Sequence, residues 1–112
     1  MDDCIFCKIA SGEMGTEFVA TSENCVAFHD LDPQAPIHIL VVPKKHTAKI
    51  SDLEKSDADL IGEMTYLAKQ VAEKKHIENY RLVMNCGEKG GQSVWHIHMH
   101  LLGGRIMQWP PG

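Results

Sequence analysis

Three histidines, His96, His98 and His100, alternate with Ile97, Met99 and Leu101 before Leu102. Three of the seven histidines in the chain thus fall within five residues. Alternation of period two predicts a half-buried strand, with the three imidazoles on one face and the apolar residues on the other. Same-face neighbours would stand about 6.6 Å apart, twice the strand rise of about 3.3 Å. Imidazole titrates near neutral pH, so such a row suits acid–base work, nucleophilic attack or metal binding. One reading is chelation, since three imidazoles and a water form a catalytic zinc set. The other is direct catalysis, with one histidine as nucleophile toward phosphorus and a neighbour as general acid. The spacing does not separate the two.

The segment before the triad, Asn85-Cys86-Gly87-Glu88-Lys89-Gly90-Gly91-Gln92-Ser93, is glycine-rich and ends in an amide and a hydroxyl. Glycine lets backbone N–H groups approach a phosphate closely, so this stretch reads as a phosphate-binding connection rather than a plain hairpin loop. Cys4-Ile5-Phe6-Cys7 is a C-x-x-C. It reads as half of a zinc site if two more ligands exist elsewhere, with His46 and one triad histidine available. A redox pair would need a preceding strand, and the chain has barely begun. His38 opens a strand that can share the triad's pocket. Phe6, Ile9, Phe28, Leu31 and Leu40 are mostly core candidates, and some suit an apolar slot for a flat base. Asp30 stands where a carboxylate could accept from sugar hydroxyls or start a turn.

These residues need elements to hold them. Residues 4–12 predict a short helix ended at Gly12. Phe18–Thr21 and Cys25–His29 predict short strands around a Ser22-Glu23-Asn24 turn. Asp30–Pro36 reads as a loop stiffened by two prolines. His38–Val42 is the most strand-like run, stopped by Pro43. Ser56 to about Lys75 predicts one long helix, opened by a capping-box-like Ser56-Asp57-Ala58-Asp59. Its stripe of Leu60, Met64, Leu67 and Val71 should pack on the sheet. Tyr80–Asn85 predicts another strand. Several antiparallel candidates with one long helix give an α+β class in a single domain spanning residues 1–112.

The formal net charge is −4 and the basic residues are scattered, which argues against nucleic acid as a partner. No apolar run approaches the ~18–20 residues that span a bilayer. The acidic start Met1-Asp2-Asp3 lacks the apolar core of a signal peptide, so a cytoplasmic protein without membrane attachment is expected. Disulfides are disfavoured there, and Cys25 and Cys86 read as buried thiols.

His96–Leu102 resembles the signature of the histidine triad (HIT) superfamily. The resemblance extends to Cys4–Ile9, Ala27–Asp30, Pro33–Pro36, His38, Val42–His46, Gly90–Val94, Leu102–Arg105 and Trp109–Gly112, which look like the Hint branch. Hint proteins are nucleotide-binding purine nucleoside phosphoramidases. The resemblance implies an antiparallel sheet with one long helix and a short N-terminal helix, joined across a homodimer. It implies that His98 attacks the α-phosphorus of an adenosine 5′-phosphoramidate, that an AMP–histidine intermediate forms, and that water releases AMP. His100 would assist the leaving amine and His38 would border the site. Ser93 and Asn85 would hydrogen-bond the phosphate side, Gln92 and Val94 would also contact the nucleotide, and Asp30 would hold the ribose. Phe6, Ile9, Phe28, His29, Leu31 and Leu40 would surround the base. Trp109 of a partner chain would reach the neighbouring site. Cys4, Cys7, His46 and His96 would hold a structural zinc, with no cofactor needed for the chemistry. Met14-Gly15 departs from the family's usual Ile-Pro and bears on the rim of the base site. A dinucleoside polyphosphate hydrolase, or a non-catalytic nucleotide-binding interaction protein, is the alternative.

Overall fold

A computed structural model describes residues 3–112; Met1 and Asp2 of the acidic start lie outside the described residues. Five antiparallel strands form one sheet: β1 (Ala20–Thr21), β2 (Cys25–His29), β3 (Ile37–Pro43), β4 (Tyr80–Val83) and β5 (Met99–Gly103). Their spatial order is β1-β2-β3-β5-β4. The helices are α1 (Ile5–Ala10) and α2 (Ala58–Lys74). The fold is α+β, as expected. None of the described helices is long and apolar enough to cross a membrane.

Side chains alternate across the sheet, so each strand serves two layers. Ile39, Val41, Met99 and Leu101 point to α2, where Met64, Leu67, Ala68, Val71 and Ala72 complete the larger core. The opposite face carries Val26, Phe28, Leu40 and Val42, covered by Phe6 and Ala10 of α1. On this second face, Phe28 pairs with Leu40 and Leu40 with His100. A six-residue helix is unstable alone. α1 is held by Phe6, whose ring meets Phe28 edge-on at 5.8 Å. Cys4 caps it, its Sγ accepting from the Cys7 N–H at 3.2 Å.

Four expectations change. The triad alternates between faces as read, with Ile97, Met99 and Leu101 in the α2 core, but the chain bends through Val94–His96. The ladder, however, begins only at Met99, and His96 and His98 precede it. The Ile97 N–H instead donates to the Thr47 carbonyl at 2.8 Å, outside the sheet. The capping box lies upstream of the expected one: Glu54 and Asp57 cap a 3-10 turn that leads into α2, with the Glu54 N–H donating to Asp57 Oδ2 at 2.9 Å. β4 stops at Val83, short of Asn85: its ladder with β5 ends at the Val83–His100 pair. Cys25 is buried, but Cys86 is exposed, since the chain has left the sheet there.

Candidate active site and metal cluster

Strand register brings the expected cleft together. A cavity of about 470 Å³ opens on the α1 face of the sheet. Phe6 and Ile9 from α1, and Phe28 and Leu40 from β2 and β3, form its apolar wall. His29, Asp30 and Leu31 line it where β2 runs out, and Leu31 is fully exposed at its rim. His38, His100, Ser93 and Val94 supply the remaining polar and adjoining surface. Four lining residues escaped the sequence reading: Ile5, Thr16, Asp32 and Gln34. Thr16 carried no signal. It lines the cleft where Met14 was expected to matter, and Met14 itself is exposed and outside the lining.

His98, expected to be the nucleophile, is not itself among the residues that line the cleft; it is buried and packs against two that do. Its ring centroid lies 5.0 Å from Phe6, edge-on, and 4.9 Å from His100. The Nδ1–H donates to the His96 carbonyl at 2.8 Å, since a carbonyl can only accept. In the neutral ring the proton therefore sits on Nδ1 and the lone pair on Nε2. No buried polar side-chain atom lacks a partner among the described residues, and His98 Nε2 has none, so it is open to solvent. Burial lowers the His98 pKa, opposed by the carbonyl bond and by Asp30, which keeps that lone pair available.

A second chain of bonds orders His38 and His100. The Gln34 N–H donates to His38 Nδ1 at 3.0 Å. His38 therefore carries its proton on Nε2, which lies 2.9 Å from His100 Nδ1 and 3.4 Å from Asp30 Oδ2. His100 Nδ1 accepts, which leaves its own proton on Nε2. Burial, then His98 and His38, push the His100 pKa down to about 4. Asp30 serves both roles considered for it: it lines the cleft, and its Oδ1 accepts from the Asp32 N–H at 2.8 Å in a local turn.

The glycine-rich connection differs from expectation. The N–H groups of Gly90, Gly91 and Gln92 bond back to Gly87 and Glu88 carbonyls. Gly87 and Gly91 adopt positive φ of 85° and 94°, which this tight turn requires. Gln92 was expected on the phosphate side; its side chain is turned inward instead. Its Oε1 accepts from the Gly87 N–H, and its amide donates to the Ala48 and Val94 carbonyls. Asn85 lies outside the cleft lining, beside Gly91. The loop's contribution to the cleft is its end, Ser93 and Val94.

Cys4, Cys7, His46 and His96 converge in a separate cluster, all four ligand atoms within 4.8 Å of one another. Cys4 Sγ lies 3.2 Å and Cys7 Sγ 3.4 Å from His96 Nδ1, while His46 Nδ1 lies 3.4 Å from Cys7 Sγ and 3.2 Å from His96 Nδ1. A tetrahedral zinc with ordinary bond lengths needs such edges at about 3.3–3.6 Å. His96 Nε2 donates to the Pro43 carbonyl at 2.7 Å, which aims the Nδ1 lone pair into the cluster. The donor set and its support fit a closed four-ligand metal site. Burial, with the Cys4 bond, pushes the Cys7 thiol up to about 11, a shift that a bound cation would reverse.

Asp30, His38 and His100 also lie within ligand distance of one another. There the support is opposite. The Gln34 N–H occupies His38 Nδ1, so Nε2 holds a proton and has no lone pair to give. This trio is wired to pass hydrogen bonds.

Residues 3–108 match the family described as "Scavenger mRNA decapping enzyme C-term binding". The chain is 43% identical over 112 residues to an uncharacterised HIT-like protein of Synechococcus elongatus, covering 99% of this chain and 98% of that one. It superposes on a HIT family hydrolase from Legionella pneumophila with a TM-score of 0.94 at 48% identity, covering 98% of this chain and all of that one (100%). A zinc-bound histidine triad family protein from Mycobacterium smegmatis is similar at a TM-score of 0.79 and 27% identity, over 93% of this chain and 76% of that one. With a family match over residues 3–108, 43% identity to a HIT-like protein and close superposition on a HIT family hydrolase, the chain belongs to the histidine triad (HIT) superfamily.

Proposed function

We propose that the protein is a purine nucleoside phosphoramidase of the Hint branch, which hydrolyses the P–N bond of adenosine 5′-phosphoramidates to AMP and an amine. The observation that carries this reading is the His98 tautomer: Nδ1–H is held by the His96 carbonyl, and Nε2 has no protein partner. The base would lie against Phe6, Ile9, Phe28 and Leu40, with Leu31 and His29 at the rim. Asp30 would accept from the ribose, and Ser93 would donate to the phosphate. His98 Nε2 attacks the α-phosphorus, the P–N bond breaks, and the departing nitrogen takes a proton from solvent while the His100 Nε2–H hydrogen-bonds it. Water then attacks the AMP–histidine, returning His98 and releasing AMP. The Legionella neighbour's description as a hydrolase supports a hydrolytic outcome.

Cys4, Cys7, His46 and His96 would hold a zinc ion that cross-links α1 to the triad segment and takes no part in the reaction. The donor set and the zinc-bound Mycobacterium relative support this role. A homodimer joined at β4 is part of the same reading. The apolar groove beside that edge, lined by Ile61, Gly62, Tyr66, Tyr80 and Leu82, supports it.

His98→Ala should abolish AMP release from an adenosine phosphoramidate while AMP binding, followed by titration calorimetry, persists. Retained turnover would refute the nucleophile. Faster hydrolysis of dinucleoside polyphosphates than of adenosine or guanosine phosphoramidates would shift the assignment to that neighbouring activity.

A further inference from the structure

The tail after β5 is bonded to the loop that orders the imidazole pair. Arg105 Nε donates to the Gln34 carbonyl at 3.0 Å. The N–H of the same Gln34 donates to His38 Nδ1 at 3.0 Å, and His38 Nε2 lies 2.9 Å from His100 Nδ1. The preceding residue brings the two segments together. Gly104 has a φ of +89°, and a Cβ there would come within 2.9 Å of Pro36. The tail can seat on the loop because this position lacks a side chain.

We propose that Arg105 is a positioning residue: through Gln34 it holds His38 in the Nε2–H tautomer, and so keeps the His100 proton on Nε2, where it serves as a hydrogen-bond donor.

The loop Asp30–Pro36 has no regular structure, and its two prolines offer no N–H. Its internal bonds, Asp32 N–H to Asp30 Oδ1 and Gln34 Nε2 to the Asp32 carbonyl, fix its shape. They do not fix where Gln34 stands relative to β3. The Arg105 bond ties the apex to an element outside the loop. Release of Gln34 would expose His38 Nδ1 to water, which donates or accepts with equal ease. The Nδ1–H tautomer then becomes accessible, and Nε2 changes from donor to acceptor. Two lone pairs cannot face each other at 2.9 Å without cost, so His100 must move its proton to Nδ1. His100 Nε2 then carries a lone pair where it had been a hydrogen-bond donor. The direction of one proton is thus set by a guanidinium outside the cleft lining.

The kinetic part rests on the phosphoramidase reading; the spectroscopic part does not. In the wild type, imidazole ¹⁵N spectra should show His38 protonated at Nε2 and not at Nδ1. Arg105→Gln should average the two His38 nitrogens and lower kcat by about tenfold with KM nearly unchanged. Arg105→Lys, which can still donate to the Gln34 carbonyl, should recover most of both. Gln34→Pro removes the N–H itself and should give the same ¹⁵N signature. The double variant should lose no more than Gln34→Pro alone, since both act through one bond. An unchanged His38 tautomer in Arg105→Gln would overturn the proposal whatever happens to kcat. Losses that multiply in the double variant would also overturn it. A wild type with the expected ¹⁵N pattern but no phosphoramidate turnover would defeat the functional reading and leave the positioning role standing.

Discussion

Burial takes the His100 imidazole from an ordinary 6.5 to about 4, with His98 and His38 adding to the shift. The free protein therefore holds this ring neutral at neutral pH. A phosphate anion beside it reverses the sign, because an adjacent negative charge favours imidazolium. The free form has the lower pKa, so nucleotide binding must take up protons in the window between the free and bound values. At about pH 6, AMP titrations in buffers of different ionisation enthalpy should show net proton uptake that shrinks toward alkaline pH. Buffer-independent enthalpies there would contradict the account. His98 differs in kind. Its neutral ring is useful because Nδ1 is already committed to a carbonyl, so protonation state and direction of attack are set together.

Elements carry the same logic at larger spacing. Glu63 of α2 accepts from the Ser22 hydroxyl, and from the Asn24 N–H and side-chain amide, each of the latter two at 2.8 Å. These bonds, Ser22 foremost, hold its carboxyl below the usual range. They fasten the long helix to the β1–β2 turn. Glu63→Gln replaces one acceptor oxygen by a donor that faces other donors. It should cost about 1 kcal/mol, at the low end for a charged bond because the group is only half-buried. Urea unfolding followed by circular dichroism would measure this, and an unchanged midpoint would remove Glu63 from the account. This clamp was invisible in the sequence, because Ser22, Asn24 and Glu63 meet only after the helix docks. What was legible had a local period: the α2 stripe, the strand alternation, and the triad with its partition into imidazole and apolar faces. What was not legible depended on loops crossing one another. Gln34 and Thr16 reach the cleft by tertiary placement. Gln92 looked like a phosphate donor until its amide was seen to close its own loop.

At the scale of the whole molecule, the sheet has two free edges, and they are unequal. β1 has two residues, while β4 has four and lies beside an apolar groove under α2. Tyr66 and Tyr80 expose 59% and 37% of their surface there, more aromatic area than a lone chain has reason to show water. A second copy related by a two-fold axis would pair β4 with β4 and cover both grooves. A Cβ on Gly62 meets nothing within 4 Å, so a side chain there projects into the groove without disturbing α2. Gly62→Arg should leave a folded monomer, whereas the wild type should sediment at twice the chain mass. A dimer in the variant would place the interface elsewhere.

His96 has its ring in one centre and its carbonyl in the other, the imidazole facing two thiols while the backbone oxygen orients His98. A single residue therefore makes the two centres report on each other. Ordering the peptide from either end spares the other its entropic cost, and thermodynamic reciprocity makes the coupling equal in both directions. Bound AMP should accordingly raise the affinity for zinc in competition with a chromogenic chelator, and a metal-stripped protein should bind AMP more weakly by the same factor. Equal zinc affinities with and without AMP would mean that the two centres, though they share a residue, keep separate thermodynamic accounts.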